Sequence, residues 1–362
     1  MAVRSFNFNA GPAAMPVSVL ESLQRDIVDY QGRGLSVLEM SHRSADFIEI
    51  AQKAEADLRS LIAIPDRYSV LFMQGGASSQ FALTVSNLDT AGQVAFANTG
   101  YWSAKARSVA ALSTGVREVV SVSREPYLRV PDIDQWLDAG KSSYLHVTDN
   151  ETIDGVQLGE LPVSPVPLVV DMSSSILSRP VDIERYGVIY AGAQKNIGPA
   201  GITVVIVRDD LIERSAHRKH LAPVFSYAAM NDAGSMLNTP PTFAWYAAGL
   251  VFQWLLDEGG LEAISKRNER QAARVYAAID ESEVYSNNVH PDNRSLMNIP
   301  FQLARPQWQD AFLKGSVKRG LIGLKGHKSV GGLRASLYNA VTDEAVDALV
   351  EYLNEFARDP QP

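Results

Sequence analysis

Hydrophobic positions along this chain fall into two alternating rhythms. Short apolar runs of strand type occur at residues 70–72, 94–97, 119–122, 144–147, 168–170, 188–190 and 202–207. Several are apolar on both faces, the pattern of strands in a sheet covered on each side. Longer segments between them carry apolar residues at helical spacing. Ser44 stands where a cap belongs, and Phe47, Ile50, Ala51, Ala54, Leu58 and Leu61 then form one stripe. Further helical stretches are predicted at 103–113 and 242–257. This alternation predicts an α/β fold with a mostly parallel, doubly wound sheet of the seven-stranded type.

The rhythm changes after Gly259-Gly260. A long, charge-rich helix over 261–280 leads to a strand at 297–303, a helix at 307–319, a strand at 333–337 and a final helix at 343–356. That is a small α+β unit. The predicted division is a large domain over 16–260 and a small C-terminal domain over 261–362, joined by the N-terminal segment 1–15.

Bulk composition narrows the function. The 362 residues are 46% hydrophobic, enough for more than one core. A formal charge of -8 provides no basic field for nucleic acid or an anionic membrane, so neither is an expected partner. With no cysteine, disulfides, thiolate zinc sites and thiol nucleophiles are excluded. Residues 1–15 lack the apolar stretch of a secretory signal, and the greasiest segment, 246–256, is far short of the ~20 apolar residues a membrane helix needs. A cytoplasmic protein is expected. Three short motifs fail on inspection. Gly32-Arg33-Gly34 follows no strand and has Val37 where a dinucleotide fingerprint needs its third glycine. Gly140-Lys141-Ser142 ends like a P-loop but has Gln135 in place of the leading glycine. His217 and His220 fit one helix face without a carboxylate to complete a zinc set, so no metal is expected.

The informative stretches are Leu168-Val169-Val170-Asp171 and Tyr190-Ala191-Gly192-Ala193-Gln194-Lys195-Asn196. One apolar strand ends in an aspartate and another in small residues and a lysine, at the edge of the sheet where such folds bind ligands. In pyridoxal chemistry a lysine forms a Schiff base with the cofactor aldehyde, and an aspartate keeps the pyridine nitrogen protonated. Gln74-Gly75-Gly76-Ala77-Ser78-Ser79 follows a strand and opens a helix, a place where small residues let amides converge on a phosphate. Trp102 suits stacking on a flat ring. Singly, each residue has an ordinary reading: a surface lysine, a capping aspartate, a core tryptophan. Together they point to pyridoxal 5'-phosphate.

Several segments resemble phosphoserine aminotransferase. They are residues 7–13 (Asn-Phe-Asn-Ala-Gly-Pro-Ala), Ser41-His42-Arg43, Gly100-Tyr101-Trp102, Asn150-Glu151-Thr152-Ile153-Asp154-Gly155, Gly192-Ala193-Gln194-Lys195-Asn196 and residues 331–336 (Gly-Gly-Leu-Arg-Ala-Ser). The likeness runs in order from residue 6 to about 356. It implies a fold-type I aminotransferase, a homodimer with active sites at the subunit interface. It also implies transfer of an amino group between glutamate and 3-phosphohydroxypyruvate, giving O-phosphoserine and 2-oxoglutarate in serine biosynthesis. Relatives also accept a phosphorylated hydroxythreonine in pyridoxine biosynthesis.

By that resemblance Lys195 carries the cofactor, Asp171 pairs with the pyridine nitrogen, Trp102 stacks on the ring and Thr152 bonds near the phenolic oxygen. Ala77, Ser78 and Gln194 bind the cofactor phosphate, and Asn238 and Thr239 reach it from the other subunit. Read alone, Asn238-Thr239 is a simple turn before Pro240-Pro241. Arg334 suits the substrate α-carboxylate. His42, Arg43, His327 and Lys328 match positions that hold the distal phosphate, although His42-Arg43 alone reads as a solvated turn. The family pattern more often has arginine where Lys328 stands, so a two-pronged contact is lost there. The rivals are another aminotransferase of the same group acting on alanine, serine or glyoxylate, a non-catalytic pyridoxal phosphate binder, and an unrelated α/β binding protein.

Overall fold

The computed structural model describes residues 4–125, 127–218 and 220–360. Its centre is a seven-stranded sheet of β1 (Tyr68–Gln74), β2 (Gln93–Asn98), β3 (Gly115–Ser121), β4 (Leu145–Thr148), β5 (Leu168–Asp171), β6 (Val188–Gly192) and β7 (Ile202–Arg208). The spatial order is β1-β7-β6-β5-β4-β2-β3. All neighbouring pairs are parallel except those of β7, which runs antiparallel to both β1 and β6. The predicted fold class holds. Every residue of β4, β5 and β6 is buried, which is why their sequences read as continuous apolar runs.

The helix predicted from Ser44 is α1 (Ala45–Leu61). The Ser44 hydroxyl accepts the Phe47 N–H at 3.3 Å, and the six stripe residues are its buried ones. Helix α2 (Tyr101–Ala110) starts two residues before the expected 103 and stops short of 113. Helix α3 (Thr242–Asp257) packs on α1, with Trp245 stacked on Phe72 at 4.3 Å and edge-on to Phe47 at 6.0 Å. Helix α4 (Gly260–Asp280) follows and begins the C-terminal unit.

There Tyr285–Ser286, Asn298–Leu303 and Leu333–Ser336 form an antiparallel sheet covered by Gln309–Lys318, Asp343–Arg358 and α4. A separate hydrophobic cluster lies here, including Val275, Phe301, Phe312, Leu333 and Leu349, and Phe8 joins it. The N-terminal segment enters as Phe6–Asn7, paired in parallel with Leu321–Ile322. It then crosses to the central sheet, where Ala13 N–H donates to the Gln194 carbonyl at 2.9 Å.

The hydrophobic pattern did not reveal the helices Val17–Asp26 and Asp209–Ala216, nor the two-residue strands. Two residues carry no period, and Val17 and Leu20 are exposed apolar positions that blur the stripe of their helix. One further correction concerns His217 and His220. His217 caps the C-terminus of Asp209–Ala216 and His220 lies in the turn beyond, so they do not share a helix face.

Candidate active site

A cavity opens at the carboxyl ends of the parallel strands, the place where open α/β sheets hold ligands. Its empty space is about 500 Å³, including the mouth. Five of the seven strands deliver groups to it: Gly76, Ala77 and Ser78 after β1, Trp102 after β2, Thr148, Asn150 and Thr152 at and after β4, Asp171 at the end of β5, and Gln194 and Lys195 after β6. Seven residues singled out from the sequence thus meet in one place.

Lys195 keeps part of its surface open to the cavity, while its ammonium is surrounded by protein and donates to Thr152 Oγ1 at 2.6 Å. Burial, helped by the charge of Arg334, pulls this amine down to about 8, against the opposing charges of Asp171 and Glu151. Asp171 is buried, and burial raises its carboxyl above the ordinary range; the Ser173 N–H at 2.9 Å and the Lys195 charge oppose that rise. An enclosed amine that sheds its proton readily beside a carboxyl with little access to water is a poor structural ion pair. It is a good arrangement for binding an aldehyde and moving protons.

The turn after β1 continues through Ala77–Ser79 into the helix Gln80–Leu88, so small residues and a helix start line the same cavity, an arrangement suited to a phosphate. Gly192 permits the close packing beside it. A Cβ there would come within 2.8 Å of Gln194 Oε1 and 3.3 Å of the Ala77 methyl. Three polar atoms of cavity-lining residues are buried without a partner: Trp102 Nε1, Thr148 Oγ1 and Asn150 Oδ1. Buried polar atoms are normally paired, so these call for a polar ligand. An amine, a carboxyl, a helix start with small residues and a flat indole around one cavity fit pyridoxal phosphate.

A cationic group stands at the same end of the molecule. Arg334 donates to the Thr152 carbonyl at 3.1 Å, and its Nε is buried without a partner. His327 packs on Tyr101 at 5.5 Å, next to Trp102 in the chain, and bonds Ser329 Oγ at 2.6 Å. Burial pushes the His327 imidazole down, and the nearby Arg334 and Lys328 charges add to that. Lys328 is exposed. The four remaining candidates do not line the cavity. His42, half-buried, and Arg43, exposed, lie in a turn before α1, and Asn238 and Thr239 sit against Gln74, whose Nε2 donates to Asn238 Oδ1 and the Thr239 carbonyl, each at 2.9 Å.

Sequence reasoning missed Phe81, Thr148, Ser173 and Ser174 as lining residues. Ser173 and Ser174 directly follow Asp171 and were within reach of the same argument; Phe81 and Thr148 carry no signal that sets them apart from core positions.

The comparisons with known proteins agree with this geometry. The class-V aminotransferase family profile matches residues 5–349. The fold is that of a fold-type I pyridoxal-phosphate enzyme, and the chain belongs to the class-V aminotransferases. Its full-length relatives are more particular. Phosphoserine aminotransferase of Pseudomonas entomophila is 51% identical over 99% of both chains. The solved phosphoserine aminotransferase of Bacillus circulans subsp. alkalophilus superposes with a TM-score of 0.95 at 44% identity, covering 99% of each chain. That of Trichomonas vaginalis, solved with pyridoxal phosphate bound, gives 0.92 at 38% identity, covering 97% of this chain and 99% of its own. The resemblance drawn from the motifs is borne out, and pyridoxal phosphate is the cofactor.

Proposed function

We propose that this enzyme reversibly transfers an amino group between glutamate and 3-phosphohydroxypyruvate, forming O-phosphoserine and 2-oxoglutarate. The observation that carries the reading is the junction of Lys195, Thr152 and Arg334. One side chain, Thr152, bonds the reactive amine, and its carbonyl holds the guanidinium. A substrate carboxylate gripped by the two-pronged face of Arg334 therefore places its α-carbon beside Lys195.

Bound in the cavity, pyridoxal phosphate supplies an aldehyde for the substrate amine and a conjugated ring that accepts electrons. Ala77, Ser78 and Gln194 would hold its phosphate, Asp171 its ring nitrogen, Thr152 its phenolic oxygen, and Trp102 would cover the ring face. Lys195, whose amine burial makes easier to deprotonate, would take the proton from the substrate α-carbon and return it as a general acid and base. His327 and Lys328 would meet the distal phosphate. A phosphorylated hydroxythreonine would satisfy the same cations, which is the route by which this enzyme would serve pyridoxine biosynthesis.

The site as described in one chain is short of His42, Arg43, Asn238 and Thr239. These are flanked by exposed large apolar residues, Leu38 and Ile48 around the first pair and Leu237 beside the second. Such residues are what a subunit contact covers. A homodimer in which the second copy contributes these four residues follows, with residues 16–260 and 261–362 plus 1–15 as its two domains. Among the described residues no helix is long and apolar enough to cross a membrane, and the reading is of a cytoplasmic enzyme.

The test is the visible spectrum of the purified protein before and after O-phosphoserine, with alanine as control. Phosphoserine alone should bleach the cofactor band. Equal bleaching by alanine would transfer the enzyme to a different substrate class.

A further inference from the structure

The N-cap of helix α2 is Gly100, a residue with no side chain to cap the first amides. Those amides are taken up from a distant hairpin, Asn150–Glu151 paired with Val156–Gln157. Glu151 Oε2 accepts the Trp102 N–H at 2.7 Å and Oε1 accepts the Ser103 N–H at 2.9 Å. Asp154 Oδ2 accepts the Tyr101 N–H at 2.8 Å. The approach is close enough to require glycine. A Cβ on residue 100 would lie 2.7 Å from the Glu151 carboxyl carbon and 2.8 Å from Asp154 Oδ2.

Capping α2 in this way is costly. Glu151 is fully buried, and burial pushes its carboxyl up to about 7, with the Asp154 charge beside it adding to the rise. A serine or aspartate at residue 100 would satisfy the amides without burying a distant carboxylate. The hairpin does something a local cap cannot. Its turn also carries Thr152, which bonds Lys195 and Arg334, so the start of α2 is fixed relative to both.

We propose that Glu151, seconded by Asp154, is a positioning residue that sets the indole of Trp102 over the cofactor ring in register with Lys195 and Arg334. It acts through the Trp102 and Ser103 amides and touches no substrate. This inference rests on the placement of the cofactor between Trp102 and Lys195 under the proposed function.

The experiment compares Glu151→Gln holoenzyme with wild type in three ways: the cofactor dissociation constant, the visible circular dichroism of the bound cofactor, and kcat against KM for glutamate. Glutamine keeps the shape but turns an N–H toward one of the two helix amides. The cofactor dissociation constant should rise about tenfold or more and kcat should fall by a similar factor, the scale for hydrogen bonds to a charged group. The visible dichroism should weaken, while KM for glutamate stays within about twofold. A cap that only stabilises the helix would lower the melting temperature and leave the visible dichroism and cofactor affinity at wild-type values; that result overturns the proposal. If Glu151→Gln fails to fold, Gly100→Ala decides. Its methyl displaces the carboxylates with their chemistry intact, at an extended backbone angle that alanine tolerates. The same loss of dichroism and affinity supports the proposal, and wild-type values overturn it. Wild-type protein that bound no pyridoxal phosphate would instead overturn the placement of the cofactor.

Discussion

The cavity between β1 and β6 and the cationic residues around it are built on different principles. The cavity is made by strand ends. Asp171, Thr148 and the turns holding Ala77 and Lys195 stand at the ends of β1, β4, β5 and β6, the last three buried throughout, and they meet within one chain. The residues assigned to the substrate's far anion, His42, Arg43, His327 and Lys328, are half-buried or exposed, and none of them lines the cavity. Our proposal therefore assigns the chemistry common to pyridoxal enzymes to the buried strand ends, the more rigid part. It assigns the choice of substrate to those half-buried or exposed residues, in keeping with surface loops carrying specificity on a common scaffold.

The comparison makes its strongest demand at Lys195. Lys195→Ala should lower kcat by roughly 10⁴-fold, the upper range for losing a positioned acid–base group, because no other amine lines the cavity among the described residues. The far-ultraviolet dichroism should be unchanged, since the side chain makes one hydrogen bond, to Thr152, and the strand ends stand without it. Activity within tenfold of wild type would mean that the rigid region does not hold the chemistry.

The exposed region is broken next. Arg43→Ala should cost about 100-fold in kcat/KM for the phosphorylated substrate, as expected for losing one charged hydrogen-bonding partner of a phosphate. Mixing this variant with Lys195→Ala under conditions of subunit exchange tests where Arg43 acts. If it serves the opposite subunit, each mixed dimer regains one intact site, and random pairing restores about a quarter of wild-type activity. No recovery, with exchange shown by mass spectrometry, would place Arg43 in its own subunit's site and remove the main support for a shared one.

The same division explains how much could be read from the sequence. Strands β4 to β6 are buried on both faces, so their apolar runs were plain, and the residues that end them were legible as Asp171 and Lys195. The α1 stripe was legible to the residue because one face meets α3 and the other meets water. The reversal of β7 was not, since an apolar run such as Ile202-Thr203-Val204-Val205-Ile206-Val207 has the same composition in either direction. The role of Glu151 is not legible in the sequence, where it is one residue of a motif. Nothing in its neighbours says that it reaches across to the amides of α2, because that contact joins residues 48 and 49 positions apart. His42-Arg43 was recognisable by resemblance alone, and the physical pattern there remains that of a turn.

The smallest effect, and the sharpest on the nature of the rigid region, concerns pH. An amine attacks an aldehyde only when neutral. Burial lowers Lys195 from an ordinary lysine value near 10.5 to about 8, with Arg334 pushing in the same direction and Asp171 and Glu151 opposing. The neutral fraction of such a group rises about tenfold per pH unit below its pKa and levels off above it. Apo-protein mixed rapidly with pyridoxal phosphate should therefore gain the cofactor absorbance at a rate that climbs about tenfold per unit between pH 6 and 7. The climb should slow near 8 and be flat by pH 9. A solvent-exposed lysine would give a rate still climbing at pH 9 and above. That outcome would show that the cavity does not desolvate its amine, and the contrast between a closed chemical centre and an open anion-binding surface would lose its basis.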